Sequence, residues 1–212
     1  MVLRMIFLKK LAKEYEKIKD RIEEKLKEFE KNRNLKKEEK FIELCFCILV
    51  ANNRLEKTKD VWEKIGKKFL TISKKELKEA LKSYGLRFYN KRAEYIIKAR
   101  NFIDEIDKNI EKCNREWFVK NIKGIGYKEA SHFLRNMGYK DFAILDRHVI
   151  RFLIKNKIIE KQKPLTKKNY LEIEEKLEEI AKRLSTIVKK EINLAELDLL
   201  IFYLQTGRIC EK

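Results

Sequence analysis

Proline and glycine are scarce in this chain, which has a single proline and only six glycines among 212 residues. Both residue types interrupt helices and form turns, so the sequence offers few places at which regular structure must break. No alternation of apolar and polar residues typical of strands persists anywhere. Apolar residues instead recur at three- and four-residue steps through highly charged segments. The sequence therefore predicts an all-α protein.

Cysteines are few and long apolar runs are absent from the sequence, which excludes several kinds of site and several classes of protein. The four cysteines, at positions 45, 47, 113 and 210, have the spacing of neither a zinc site nor a four-cysteine iron–sulfur cluster. No apolar run approaches the ~18 residues of a membrane span. The opening residues have neither the apolar stretch nor the cleavage site of a secretory signal. We expect a cytoplasmic protein with reduced thiols and no membrane partner.

Acidic residues are outnumbered by basic ones, 34 to 52, which leaves a net charge of +18. An excess of this size favours a polyanionic partner, with nucleic acid ahead of an anionic membrane surface. No basic amphipathic helix with an aromatic-rich face supports the membrane alternative. The hydrophobic fraction of 44% is enough for a folded core, which excludes a disordered basic tail.

The stretch NIKGIGYKEASHFLRNMG, residues 121–138, indicates two helices joined by a tight turn. Residues 115–122 and 127–137 have helical patterns, and Lys123, Gly124, Ile125 and Gly126 lie between them. Glycine leaves the backbone of the turn bare, so a phosphate can approach the free N–H groups at the start of the second helix. The pattern predicts a helix–hairpin–helix that binds the DNA backbone through Lys123, Gly124 and Gly126. An ordinary helical hairpin that turns with glycine is the alternative.

Lys128 occupies an unusual position, in the first turn of the second helix. The positive end of the helix dipole disfavours an ammonium there and favours the neutral amine, which is the nucleophilic form. Phosphate contact explains this lysine as well. Eighteen residues later, Asp146 follows an apolar pair and precedes a helical run, so it is a candidate N-cap. It is also a candidate carboxylate for accepting a proton or stabilising positive charge on a sugar.

These motifs resemble a known superfamily. KGIGYKEASHFLRN followed by ILDRHVIRF resembles the helix–hairpin–helix DNA glycosylases, and the Gly-x-Gly-x-Lys-x-x-Ala variant is similar to their bifunctional glycosylase/lyase members. The C-terminal stretch LAELDLLIFYLQTGRI is similar to the archaeal subclass of 8-oxoguanine DNA glycosylases. Lys123 stands where the superfamily often has proline, and Arg147 stands where a smaller or apolar residue is usual.

The resemblance implies an activity and several residue roles. The enzyme would remove 8-oxoguanine from damaged double-stranded DNA through a Schiff base on Lys128, with Asp146 as the essential carboxylate, and then cut the strand by β-elimination. Asn52 would fill the duplex where the damaged base has left. No cofactor is required and no protein partner is implied. The resemblance assigns a monovalent cation in the hairpin to the backbone carbonyls of Lys120, Ile122 and Ile125.

Base recognition needs an acceptor for the N7–H of 8-oxoguanine and a flat face for stacking. Phe88, Phe202 and Trp117 are the aromatic candidates, although each residue type is more often found in a core. Asp198 either accepts from the base or caps its helix. Lys212, at the end of the chain, would bring an ammonium and a carboxylate to the pocket, or else belong to a frayed terminus.

The resemblance also implies an architecture of two helical lobes with the hairpin at their junction and an active-site cleft between them. The expected central lobe spans residues 37–120. The expected second lobe combines residues 1–36 with 121–212 and carries the hairpin, at about 115–137. Two rival functions remain open at this point. One is a glycosylase for another damaged base, and the other is a non-catalytic helix–hairpin–helix module that only binds DNA.

Overall fold

The structure, a computed structural model, describes residues 2–161 and 164–209, with side chains from Met5 onward. Over these residues the chain forms eleven α-helices, three short 3-10 turns and no strand, so the all-α prediction is confirmed. None of these helices combines the length and apolarity needed to cross a bilayer. The helices are α1 (Val2–Lys31), α2 (Lys37–Val50), α3 (Leu55–Ile65), α4 (Lys74–Ser83), α5 (Tyr89–Ala99), α6 (Ile103–Glu111), α7 (Arg115–Asn121), α8 (Tyr127–Asn136), α9 (Arg147–Lys155), α10 (Lys167–Val188) and α11 (Leu194–Thr206).

Short polar side chains start several of these helices. Ser73 accepts a hydrogen bond from the Glu76 N–H at the start of α4, and Thr166 accepts one from the Asn169 N–H at the start of α10. The Asn193 side chain accepts a hydrogen bond of 2.9 Å from the Glu196 N–H at the start of α11. Each cap satisfies an N–H group that the helix itself leaves without a partner. Local sequence thus determines where these helices begin.

The chain divides into two compact units, of which one comprises residues 31–137. Its centre is α2, which is buried on all sides from Lys40 to Leu49 and contacts α3, α5, α6 and α8. Phe41, Leu44 and Phe46 of this helix are fully buried. The Trp62 indole N–H donates to the Ile42 carbonyl at 2.7 Å, which ties α3 to the central helix. We call this part of the chain the hairpin unit because it contains α7 and α8.

The second unit comprises residues 1–30 and 138–212 and is called the two-segment unit. The apolar stripe of α1 is buried in it, and α11 packs on α9 and α10. Lys190 donates to Tyr15 at 3.1 Å, to Glu23 at 2.7 Å and to Glu196 at 3.0 Å. Tyr15 and Glu196 are buried, so this network joins the N-terminal helix to the start of α11 through a shared cation.

The boundary between the units differs from the one expected from the sequence. The expected limits of 37–120 divided the hairpin, whereas the hairpin unit runs from 31 to 137 and contains both of its helices. The reason is packing within this unit. The rings of Phe118 in α7 and Phe133 in α8 lie 5.3 Å apart, and the His132 ring of α8 lies 6.2 Å from Phe46 of the central helix.

Candidate active site

The turn between α7 and α8 is tight and has a bare backbone. The Ile125 N–H donates to the Ile122 carbonyl at 3.2 Å, and Gly124 between them has a φ of +86°. This conformation strongly favours glycine. Gly126 is the N-cap of α8, and both glycines lack a side chain that would obstruct an approaching phosphate. The predicted pair of helices and their connection are therefore present, with bounds within one residue of those expected.

Side chains on both helices fix the angle of the hairpin. The Tyr127 hydroxyl donates to the Glu116 carboxylate at 2.6 Å, and the Arg115 guanidinium lies 5.3 Å from the centre of the Tyr127 ring. Arg115 also donates to the Ser131 hydroxyl at 3.2 Å.

Trp117, a candidate for base stacking, packs edge-on against Phe102 and Phe118. These contacts hold the half-buried Trp117 within the packing of the hairpin unit.

Replacing Gly124 with alanine tests how closely the turn is packed. The new Cβ would overlap the Tyr95 ring and lie 2.9 Å from its Cε2 atom, in a left-handed backbone that alanine adopts at a cost. We expect the free energy of unfolding to fall by about 2–4 kcal/mol and DNA affinity to fall with it. Chemical denaturation and a DNA titration measure the two effects.

Gly85 provides a matched control in the same unit. Its φ is +68°, but an added Cβ would meet only the flexible end of Lys57 at an ordinary 3.6 Å. Gly85→Ala should therefore show the backbone cost alone, about 1–2 kcal/mol. Equal losses for the two variants would contradict the close packing of the Tyr95 ring against the turn.

The carbonyls assigned to a monovalent cation differ in their hydrogen bonding. The Ile122 carbonyl accepts the Ile125 N–H. Within the described part of the chain, the carbonyls of Lys120 and Ile125 accept no backbone hydrogen bond. Carbonyl oxygens without a backbone partner suit a hard cation, so two of the three assigned carbonyls are available to the proposed ion.

Lys128 projects from the first turn of α8 and is about three-quarters buried. Its Nζ atom lies 2.9 Å from the carboxylate of Glu129, whose side chain is 15% exposed. The other Glu129 oxygen accepts the Gly126 N–H at 3.3 Å. Sequence reasoning identified the lysine and missed the glutamate. The signal was present, because Glu129 stands at the third helical position, where glutamate often bonds back to the N-cap.

Two neutral side chains, one from α2 and one from α8, lie close to Lys128 in the hairpin unit. Burial raises the pKa of the Cys47 thiol and lowers the pKa of the His132 imidazole well below its ordinary value. Both groups are therefore neutral at physiological pH. Lys128 contributes to the pKa shifts of both groups, so these two neutral side chains lie close to its amine. Neither Cys47 nor His132 competes with Lys128 as a charged nucleophile.

Asp146, in the two-segment unit, is the N-cap of α9. One carboxylate oxygen accepts the N–H groups of His148 and Val149 at 2.8 and 2.9 Å, which confirms the predicted cap. The segment before it is held by α10. The Tyr170 hydroxyl donates to the Ala143 carbonyl at 2.6 Å, and Glu174 accepts the Ala143 N–H at 2.8 Å. Residues of α10 therefore hold both backbone groups of the buried Ala143, which fixes the chain three residues before Asp146.

Two exposed residues of the hairpin unit share an unusual backbone conformation. Asn52 and Phe88 have φ values of +57° and +58°. Asparagine tolerates this region, but it is uncommon for a bulky residue such as phenylalanine. The Phe88 ring is 54% exposed and lies 5.3 Å from the Arg87 guanidinium. An exposed aromatic ring beside a cation suits stacking on a nucleic-acid base.

Arg92 holds the segments that carry these two residues. Its guanidinium donates to the carbonyls of Ile48 and Ala51 at the end of α2, and its Nε atom donates to the Arg87 carbonyl at 2.9 Å. Asn53 reinforces the connection, because its side-chain oxygen accepts the Arg87 N–H at 2.9 Å. Hydrogen bonds that span more than 30 residues of sequence thus support both strained positions.

Comparisons with known proteins agree with this geometry. The sequence profile described as 8-oxoguanine DNA glycosylase matches residues 22–186. An 8-oxoguanine DNA glycosylase/AP lyase of Methanocaldococcus jannaschii is 47% identical over 211 residues, covering 97% of this chain and 99% of the relative. The chain belongs to the 8-oxoguanine DNA glycosylase family.

Solved structures of the 8-oxoguanine DNA glycosylase family have the same fold as this chain. The crystal structure of the Thermotoga maritima 8-oxoguanine DNA glycosylase superposes with a TM-score of 0.88 at 35% identity, covering 98% of this chain and 99% of the other. The Methanocaldococcus jannaschii 8-oxoguanine glycosylase/lyase in complex with a 15mer DNA containing 8-oxoguanine gives 0.86 at 45% identity, with coverages of 95% and 99%.

The remaining base-recognition candidates of this glycosylase family member lie in or near α11. Phe202 is partly exposed, and its ring centre lies 5.4 Å from that of His148. Asp198 is buried beside a small apolar cavity. The alternative that Asp198 caps its helix is wrong, because Asn193 occupies the N-cap of α11 and Asp198 lies one turn inside. Lys212 lies outside the described residues.

Proposed function

We propose that this chain excises 8-oxoguanine from double-stranded DNA and then cuts the strand at the resulting abasic site. Family membership supports the glycosylase activity, and the relative from Methanocaldococcus jannaschii is named a glycosylase/AP lyase. A crystal structure of the glycosylase/lyase from that organism contains a DNA with the same lesion. The single observation that carries the proposal in this chain is a partly buried lysine at the mouth of a glycine turn.

The first chemical step belongs to Lys128. Its neutral amine attacks C1′ of the flipped deoxynucleotide, a C–N bond forms, and the bond from C1′ to the base breaks. The electron pair of that bond leaves with the base, which takes up a proton. Loss of a proton from nitrogen and opening of the sugar ring give the Schiff base. Removal of a C2′ proton then expels the 3′ phosphate, which cuts the strand by β-elimination.

Asp146 contributes charge to this sequence of steps. Positive charge develops on the sugar as the base leaves, and a carboxylate at a fixed position stabilises that charge more in the transition state than in the ground state. One oxygen of Asp146 is engaged by the two N–H groups of α9. A carboxylate has a second oxygen with further acceptor sites, which is available for the sugar or for a proton.

DNA binding rests on groups that do not read sequence. The bare backbone at Gly124 and Gly126 lets a DNA phosphate approach the start of α8, with Lys123 adding a point charge. Asn52 fills the space left by the flipped nucleotide, and Phe88 stacks on an exposed base. No cofactor takes part in the chemistry. A monovalent cation on the hairpin carbonyls would add positive charge beside the phosphate. The proposed place of action is the cytoplasm, with the chromosome.

A panel of duplexes tests the proposed function. The wild-type chain is incubated with duplexes that differ only at one position, which holds 8-oxoguanine, guanine, an oxidised pyrimidine or an alkylated purine. We expect strand cleavage and a borohydride-trapped covalent adduct with 8-oxoguanine and not with guanine. Cleavage confined to another lesion would point to a different glycosylase. Salt-sensitive binding to every duplex without cleavage would point to a non-catalytic DNA-binding module.

A further inference from the structure

The ion pair between Lys128 and Glu129 is not an ordinary surface contact. Adjacent residues on a helix do not face one another, so a 2.9 Å contact requires both side chains to bend towards a common point. The pair is also more buried than the surface pairs of the same unit. The side chains of Lys128 and Glu129 are 27% and 15% exposed, against 58% and 38% for Lys98 and Glu94.

Glu129 is itself held by the turn. One of its carboxylate oxygens accepts the Gly126 N–H at 3.3 Å, and the other contacts the Lys128 amine. A single carboxylate therefore connects the backbone of the hairpin to the nucleophile. Lysine has four rotatable side-chain bonds, and fixing its amine at one place reduces the number of unproductive conformations.

The pair also restricts the amine to one place beside the turn. A nucleophile that is held near its reacting position attacks more readily than one that samples many conformations. We propose that Glu129 is a positioning residue that holds Lys128 at the mouth of the hairpin. This inference rests on the proposed role of Lys128.

Other charged and titratable groups in the hairpin unit face this pair. Arg92 of α5 is a buried cation that interacts electrostatically with Glu129, while Cys47 of α2 and His132 of α8 are neutral. None of these groups is replaced in a Glu129 variant, so a change in the rate of Schiff-base formation reports the lost carboxylate.

Glu129→Gln is the decisive variant. Glutamine retains an oxygen for the Gly126 N–H and loses the negative charge, so the turn keeps its cap while the ion pair is lost. Borohydride trapping is measured under single-turnover conditions on a duplex with a preformed abasic site, across a range of enzyme concentrations. We expect the trapping rate at saturating enzyme to fall by about tenfold relative to wild type, while the half-saturating concentration changes by less than about twofold.

A matched control is Glu76→Gln, at the same capping position of α4 in the same unit. Glu76 accepts the Ser73 N–H at 3.1 Å and is exposed. This variant loses one negative charge and keeps its cap, so its trapping rate should equal that of wild type. Thermal denaturation of all three proteins checks that each is folded.

The outcomes separate this inference from the proposed function. A slower trapping rate in Glu129→Gln alone supports the positioning role. Equal trapping rates in wild type and Glu129→Gln would overturn it and leave the Schiff base intact. An equal loss of rate in Glu76→Gln would also overturn it, because the effect would then come from net charge. Failure of wild type to form any adduct would instead refute the proposed function.

Discussion

Replacing Lys128 with alanine is expected to abolish the covalent adduct with DNA and to lower the rate of strand cleavage at 8-oxoguanine by at least about a thousandfold. The physical reason is the loss of the only group proposed to form the C–N bond at C1′. The substitution also removes the contact with Glu129 while leaving the Gly126 cap in place. Single-turnover cleavage and borohydride trapping on the 8-oxoguanine duplex measure the effect.

Lys123→Ala is the matched control for this prediction. Lys123 lies in the same hairpin, on the other side of the turn, and its side chain is exposed. It should contribute one phosphate contact, so its loss should weaken binding to all duplexes and lower the slope of log affinity against log salt by about one. An undiminished adduct in Lys128→Ala would mean that another lysine is the nucleophile. Loss of the adduct in Lys123→Ala alone would identify that lysine.

Asp146→Asn is expected to lower the rate of base excision by about a hundredfold or more while leaving the fold intact. Asparagine is as good an N-cap as aspartate, so it can still accept from His148 and Val149. What it loses is the negative charge proposed to stabilise the sugar. Single-turnover excision measures the catalytic effect, and thermal denaturation measures the structural one.

Asp146→Ala separates the two roles of this residue. Alanine removes the cap as well as the charge, so it should reduce stability by about 1 kcal/mol in addition to the catalytic loss. Two results would refute the charge role: wild-type excision by Asp146→Asn, or a catalytic loss that appears only in Asp146→Ala. In either case the aspartate would be a helix cap alone.

Much of the candidate site was predictable because its signals are local. The hairpin follows from two glycines between helical patterns, and the role of Asp146 as a cap follows from an apolar pair before it and a helix after it. The buried stripe of α1 follows from its three- and four-residue spacing. In each case the residues that create the structure are within a few positions of one another.

Features that depend on distant residues were not predictable in this way. The packing of Tyr95 against Gly124 joins α5 to the hairpin, and nothing in either segment indicates the other. The boundary of the hairpin unit depends on α8 packing against α2, more than 80 residues away along the chain. The contact between Lys128 and Glu129 was not predicted for a different reason. The side chains of adjacent residues on a helix normally point in different directions.

The three donors of Arg92 have a consequence for how variation in this chain would be tolerated. One side chain fixes the ends of two segments whose exposed residues, Asn52 and Phe88, both sit in strained backbone. Substitution of Asn52 or Phe88 would alter one of the proposed DNA contacts at a time. A change at Arg92 would relax both positions together, although the Arg92 side chain is itself buried. We therefore expect an Arg92 variant to lower the free energy of unfolding in one assay and the affinity for DNA in another.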